Sequence, residues 1–268
     1  MKMYCLTTYN DHYEKIIKLG YVPVGLGKAI NSNKFISDNT RVNISEKNQF
    51  YGEYTFHYWL WKNKIDDNEK DWIGFCQYRK FWVNTKSDDK IDNLDTLNKR
   101  LLKEIPANFN EFDVILGEPL FINQFRFSKF LKRNLKTMIK NPSLFFDKNK
   151  RNIKFHFDMM HGNGNLDKAI DLLNQRDRDD FRNFVNSEVS FNPHNMLICK
   201  SKKLLNNYYS AIFPWLEKCE KEFGFELQGY GLKRIYGFLA ERYLSYWFKK
   251  YTKFKTLPII FADISELS

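Results

Sequence analysis

The chain has 268 residues, 43% of them hydrophobic and 17% aromatic, which excludes a disordered polymer and is enough to bury a substantial core. Its net charge of +11, from 43 Lys and Arg against 32 Asp and Glu, points to an anionic partner: nucleic acid, anionic lipid or a sugar nucleotide. Cys5, Cys76, Cys199 and Cys219 are scattered without a CxxC pair, which argues against a zinc or disulfide framework and suits reduced thiols in a cytoplasmic protein.

Residues 1–30 lack an apolar segment followed by a small-residue cleavage site, and no window reaches the ~18 apolar residues of a membrane span. The expected location is therefore cytoplasmic, with any membrane contact peripheral.

Met3 to Thr8 reads as a first strand, followed by a polar turn and a short helix near Asp11–Lys18. Between Tyr21 and Ile30, Gly25 and Gly27 precede Lys28. This GxG is either a plain turn or a place where the backbone approaches a ligand. Ser45 is a candidate N-cap for a helix running to about Lys62. Phe50, Tyr54, Tyr58 and Trp61 recur along it at helical spacing and are expected to face the core, with Glu53 beside them.

The apolar run from Trp72 to Cys76 reads as a buried strand that opens directly onto Tyr78, Arg79 and Lys80. In open α/β sheets, ligands sit beyond the carboxyl ends of the strands. Two cations and a tyrosine at that point make a candidate seat for a phosphorylated ligand, the alternative being a solvated basic turn. A polar stretch (Asn84–Asp95), a helix around Thr96–Glu104, a strand at Phe112–Leu116 and a turn at Gly117–Pro119 follow. Strands alternating with helical patterns argue for an α/β fold with a mainly parallel sheet.

Residues 126–140 read as a basic amphipathic helix, suited to an anionic membrane or a lipid-linked substrate, or else to ordinary packing with a solvated basic face. His156, Asp158 and His161 are metal-ligand residue types. On a helix, however, positions 156 and 161 diverge by about 140°, and the segment reads better as a loop that touches substrate. A strand at Asn195–Lys200 follows Asn192, Pro193 and His194. A long amphipathic helix spans Lys203–Phe223, and a last helix runs from Gly231 to Phe248 with Glu241 among apolar positions. Lys249, Lys250, Lys253 and Lys255 form a basic tail. Without repeats or linkers, 1–268 reads as a single domain.

Five segments in this order carry a resemblance. They are Asn43-Ile44-Ser45 with Lys47-Asn48; Tyr51, Glu53 and Thr55 leading to Tyr58–Asn63; Ile73–Phe81; Asn192–Met196; and Arg234–Arg242. Together they resemble a family of bacterial glycosyltransferase-like proteins from capsule and surface-polysaccharide clusters, long filed as a domain of unknown function. Two positions depart from the family's pattern. Gln77 stands where it usually has His. Lys80 replaces a second Arg, which keeps the charge and loses the bidentate fork.

The resemblance implies a GT-A-like, Rossmann-type sheet flanked by helices. About 1–120 would form the nucleotide-sugar-binding part and about 121–268 a helical acceptor-side part. It implies sugar transfer from a nucleotide-sugar donor to a growing capsular or other surface glycan, lipid-linked and with inversion. A UDP-sugar is favoured, UDP-galactofuranose among the candidates. The donor diphosphate is expected at Tyr78, Arg79 and Lys80 with Gly25, Gly27 and Lys28, Arg79 also stabilising the leaving group.

Glu241 is the expected general base, with Glu53 and Asp158 in reserve, and Asp158, His161, His194, Asn195 and Arg234 are expected to meet the acceptor. No DxD follows the central strand, and Asp88-Asp89 lies in a polar loop. Cations are therefore expected to do the work of Mn²⁺ or Mg²⁺, with no cofactor required. Two other readings stay open: a non-catalytic carbohydrate-binding or assembly protein on the same fold, and a basic nucleic-acid-binding protein. The second lacks any helix-turn-helix, RRM or zinc signature, so nucleic acid is not an expected partner.

Overall fold

The computed structural model describes residues 1–30, 32–64, 72–124 and 147–268, so the basic segment 126–140 lies outside the described residues. The first half supplies β1 (Lys2–Thr7), α1 (His12–Lys18), β2 (Val22–Gly25), β3 (Ile36–Ser37), α2 (Asn48–Tyr51), α3 (Tyr54–Asn63), β4 (Ile73–Gln77), β5 (Lys80–Trp82), α4 (Leu94–Arg100), β6 (Val114–Gly117) and β7 (Leu120–Phe121). The second half supplies α5 (Ile153–His161), α6 (Asn165–Asp171), α7 (Gln175–Ser187), β8 (Ser190–Phe191), β9 (Leu197–Cys199), α8 (Lys202–Phe223), α9 (Tyr230–Lys233), α10 (Ile235–Tyr251), β10 (Phe254–Leu257) and β11 (Ile259–Phe261).

Among the described residues nine strands form one mixed sheet in the order β10-β6-β9-β4-β1-β2-β3, with β5 beside β4 and β11 beside β5. The pairs β4/β1, β1/β2, β2/β3 and β10/β6 are parallel, and β9 runs antiparallel between β4 and β6. The sheet draws strands from both halves of the chain. A separate antiparallel pair joins β7 to β8.

The central strands are apolar throughout because both faces of the sheet are covered, and alternate side chains go to opposite sides. Tyr4, Leu6, Ile73 and Phe75 enter the larger core with α3, α8 and α10, while Met3, Cys5 and Cys76 enter the smaller one with α1 and α4. Helix α10 is buried over most of its surface, from Ile235 to Phe248. Helix α8 starts at the N-cap Ser201, whose hydroxyl accepts from Leu204 N–H at 3.2 Å.

Three local expectations are corrected. The helix foreseen from Ser45 to Lys62 is broken. Ser45 donates its hydroxyl to Asn43 Oδ1 (3.0 Å) instead of capping, and Gly52 at φ +59° separates α2 from α3. Tyr54 is buried as expected, but Phe50, Tyr58 and Trp61 are only half-buried. Residues 153–161 form a helix, not a loop, because Asn152 caps it by accepting from Phe155 N–H at 2.9 Å. The basic tail is not a tail: Lys249 and Lys250 end α10, and β10 carries Lys255 along β6.

Candidate functional site at the β1/β4 switch point

Strands β2 and β3 lie on one side of β1 and β4 on the other, so the carboxyl ends of β1 and β4 flank a topological switch point. A cleft of about 180 Å³ opens there. Thr7 and Thr8 come from the end of β1, Leu26 from the end of β2, and Gln77, Tyr78 and Arg79 from the end of β4. Asn48, Gln49, Gly52 and Glu53 come from the helix break, and Arg234 from the start of α10.

Gln77 and Lys80 pair across a two-residue turn, which places Tyr78 and Arg79 at its tip. The turn is anchored on both sides. Tyr78 N–H donates to Leu6 O (3.1 Å), while Ala262 and Ile264 N–H donate to the carbonyls of Arg79 (3.2 Å) and Tyr78 (3.1 Å). Tyr9, His12 and Tyr78 form an aromatic cluster with centroids 5.0–5.3 Å apart. Within it His12 joins Thr7 Oγ1 (2.8 Å) to Ser265 Oγ (2.9 Å), and burial lowers its pKa.

The break between α2 and α3 serves the same cleft. Gly52 holds φ +59°, a conformation that side chains rarely adopt, and the Arg234 guanidinium packs against it. Asn48 Nδ2 fixes the loop by donating to Gly52 O (3.0 Å) and Thr55 Oγ1 (3.1 Å). Arg234 stands 3.8 Å from Glu53, both partly exposed.

Lys80 lies between two acids. Burial lowers its pKa, Glu53 and Glu241 pull it upward, and Arg79 and Arg234 push it down. Glu241 does not line the cleft; it holds the backbone behind it. Its Oε1 accepts from His194 N–H at 2.6 Å, and its Oε2 pairs with buried Arg242, whose guanidinium lies 4.1 Å from the Phe191 ring centroid. His194 and Asn195 both adopt left-handed backbone (φ +80° and +54°), a conformation non-glycine residues hold only where surroundings enforce it. Here Glu241 grips His194 N–H, Gln77 donates to His194 O (3.0 Å), and Asn195 donates to Gly237 O (3.1 Å). Burial and the charge of Lys80 push the His194 imidazole down to about 3.

Of the residues singled out from sequence, Glu53, Gln77, Tyr78, Arg79 and Arg234 line the cleft, and Lys80, His194, Asn195 and Glu241 sit behind or beside it. Gly25, Gly27 and Lys28 are not among the lining residues. Gly25 leaves its Cβ space to Ile30. Gly27, at φ +65°, donates its N–H to Asp38 Oδ1 (2.8 Å), and Lys28 is exposed. Burial pushes the Asp38 carboxyl up to about 6.

Asp158 is paired with Lys154 (2.7 Å), and buried His161 bonds Gly231 O (2.9 Å) and stacks on Phe238. Thr7, Thr8, Gln49 and Gly52 were not singled out, and Asn48 entered only through the resemblance. The two threonines follow from the same strand-end rule that marked Arg79, whereas a lone glycine in a helical pattern gives no hint of its distant partner.

The cleft thus lies at the switch point of a mainly parallel α/β sheet, with Arg79 and Arg234 in its lining. Residues 4–253 match the family described as Domain of unknown function (DUF4422), and the chain belongs to that family. No curated protein matches the sequence. The fold is similar to that of the WbbM bifunctional glycosyltransferase in its apo structure, with a TM-score of 0.67 at 20% identity over 98% of this chain. The chain spans 45% of that protein, and at this identity the likeness is one of fold. Residues after 253 lie beyond the family match, yet β11 pairs with β5 and Ala262 and Ile264, just past it, hold the Tyr78–Arg79 turn. No helix among the described residues is long and apolar enough to cross a membrane.

Proposed function

We propose that this protein is a glycosyltransferase that moves a sugar from a nucleotide-sugar donor, a UDP-sugar first among them, to a growing surface-glycan acceptor. The observation that carries this reading is the grouping of Arg79, Lys80 and Arg234 around the cleft at the β1/β4 switch point. Membership of the family and the fold shared with a glycosyltransferase support it.

In this reading the donor diphosphate lies against Arg79 and Arg234, whose planar forks suit phosphate oxygens, with Lys80 adding a point charge. The bond from the anomeric carbon to the diphosphate oxygen breaks as the acceptor hydroxyl attacks from the opposite face, which inverts the centre. Negative charge grows on the departing diphosphate, where fixed cations stabilise it. The hydroxyl proton passes to a carboxylate. Glu53 is the acid that lines the cleft, and we assign it the base role; Glu241, engaged by His194 and Arg242, positions the turn beside the site.

The lining offers a single carboxylate, Glu53, and among the described residues no three His, Cys, Asp or Glu side chains converge as a metal site. With Arg79 and Arg234 beside that one carboxylate, we assign the charge neutralisation to the cations. The net charge of +11 supports placing the reaction at the cytoplasmic face of an anionic membrane.

The test is a turnover panel of UDP-, GDP-, CMP- and dTDP-sugars with surface-glycan acceptors, run in EDTA and then with Mn²⁺. Nucleotide release that depends on acceptor and persists in EDTA is expected. Release that appears only with Mn²⁺ would refute metal independence, and none with any donor would refute the transferase.

A further inference from the structure

Strand β11 runs antiparallel to β5 with Phe261 opposite Lys80, so its last side chain stands beside the cationic site. Phe261 is 66% exposed at the end of β11, whose one partner strand among the described residues is β5. It meets the edge of the site on two sides. The His194 ring packs perpendicular to it at 5.3 Å, and Lys80 Nζ lies 5.7 Å from its centroid.

Beyond Phe261 an open groove of about 460 Å³ separates the 87–91 segment from the C-terminal residues 260–267. Its polar lining reverses the balance of the donor cleft: Asp89, Asp263 and Glu266 stand against Lys90 and Arg100. Both cations are already engaged, Lys90 with Asp92 at 2.8 Å and Arg100 with the carbonyls of Asp89 (2.8 Å) and Ser87 (3.0 Å). A phosphorylated ligand is therefore disfavoured in this groove.

We propose that this groove is a subsite for neutral saccharide units of the acceptor, with Phe261 as the platform on which one ring stacks. The inference rests on the transferase reading. A pyranose ring has an apolar C–H face that suits an aromatic surface and a rim of hydroxyls that donate to carboxylates. The groove adjoins the reaction cleft through Lys80 and the Arg79 turn, whose carbonyl accepts from Ala262 N–H. A glycan lying on Phe261 would extend away from the donor diphosphate, with its terminal hydroxyl toward the cleft.

Saturation-transfer NMR with neutral glucosyl, galactosyl and mannosyl disaccharides tests this, with UDP titrated by calorimetry as the control. Wild type should transfer saturation to at least one disaccharide. Phe261→Ala should cut the signal about fivefold while Phe261→Trp keeps it, and both should bind UDP within about twofold of wild type. Equal signals in Phe261→Ala would overturn the subsite, as would no signal from any disaccharide in protein that binds UDP. Loss of a wild-type dimer in Phe261→Ala would overturn it in favour of self-association. Phe261-dependent saccharide binding without UDP binding would uphold the groove and sink the transferase reading.

Discussion

Two charged clusters of this protein are built on opposite plans. At the start of α7, Asp177 is 4% exposed and receives Tyr251 OH at 2.6 Å, Tyr246 OH at 3.0 Å, Lys250 Nζ at 3.1 Å and Tyr243 OH at 3.3 Å. Burial alone would raise its pKa; the hydrogen bonds from Tyr251, Lys250 and Tyr246 outweigh it and hold the carboxyl below its usual range. At the switch point, Arg79, Lys80 and Arg234 crowd round one lining acid, Glu53. A carboxylate surrounded by donors locks α7 to α10. In the proposed function, that excess of cations at the cleft receives the donor diphosphate.

The sharpest break in the comparison is Glu53→Gln. It is expected to lower kcat by about 10²–10⁴-fold, with UDP affinity and melting temperature close to wild type. Steady-state kinetics and calorimetry on one preparation measure both; near-normal turnover would return the base role to Glu241.

Acid should act through buried histidines outside both clusters. Burial pushes His57 down to about 3, and burial with the Arg242 charge pushes His161 down to about 2. Their neutral forms are favoured in the fold, so the stability they contribute is fully present above pH 6.5 and is lost as pH falls toward those values. Denaturant titrations should show stability falling by about 1.4 kcal/mol per pH unit for each histidine below pH 6.5. A flat profile between pH 6.5 and 5 would contradict that.

Asp177→Asn should cost about 2 kcal/mol, or a melting temperature lower by about 4–8 °C, with turnover at 25 °C intact. Loss of activity in a folded Asp177→Asn protein would blur the distinction between the clusters. The smallest effect is expected at Lys253, whose pairing with Glu111 is exposed on both sides. Lys253→Ala should change unfolding free energy by less than about 0.5 kcal/mol in the same titrations.

The parts of this molecule legible in sequence are those set by short-range patterning. The run Ile73–Cys76 is apolar at every position save Gly74 because β4 is buried on both faces, and its abrupt end at Gln77 marked the strand terminus. The 22-residue α8 declared itself by its amphipathic stripe. What pattern did not convey depends on partners far along the chain. Gly52 breaks a convincing helix at φ +59° beside the distant Arg234, and Glu241, expected as the general base, accepts from His194 N–H and pairs with Arg242. The strand Ile259–Phe261 went unread in sequence, and the clamping of the Arg79 turn by Ala262 and Ile264 just beyond it required the register with β5.

The central claim is that the switch-point cations receive a nucleoside diphosphate without a metal. A calorimetric titration of UDP in EDTA into wild type and Arg79→Ala tests it most directly. Binding to wild type that weakens about 10–100-fold in a folded Arg79→Ala protein is the expected result, since a charged hydrogen bond is worth about 1.5–3 kcal/mol. Equal affinity in the two proteins, or binding to wild type only when Mn²⁺ is restored, would contradict it.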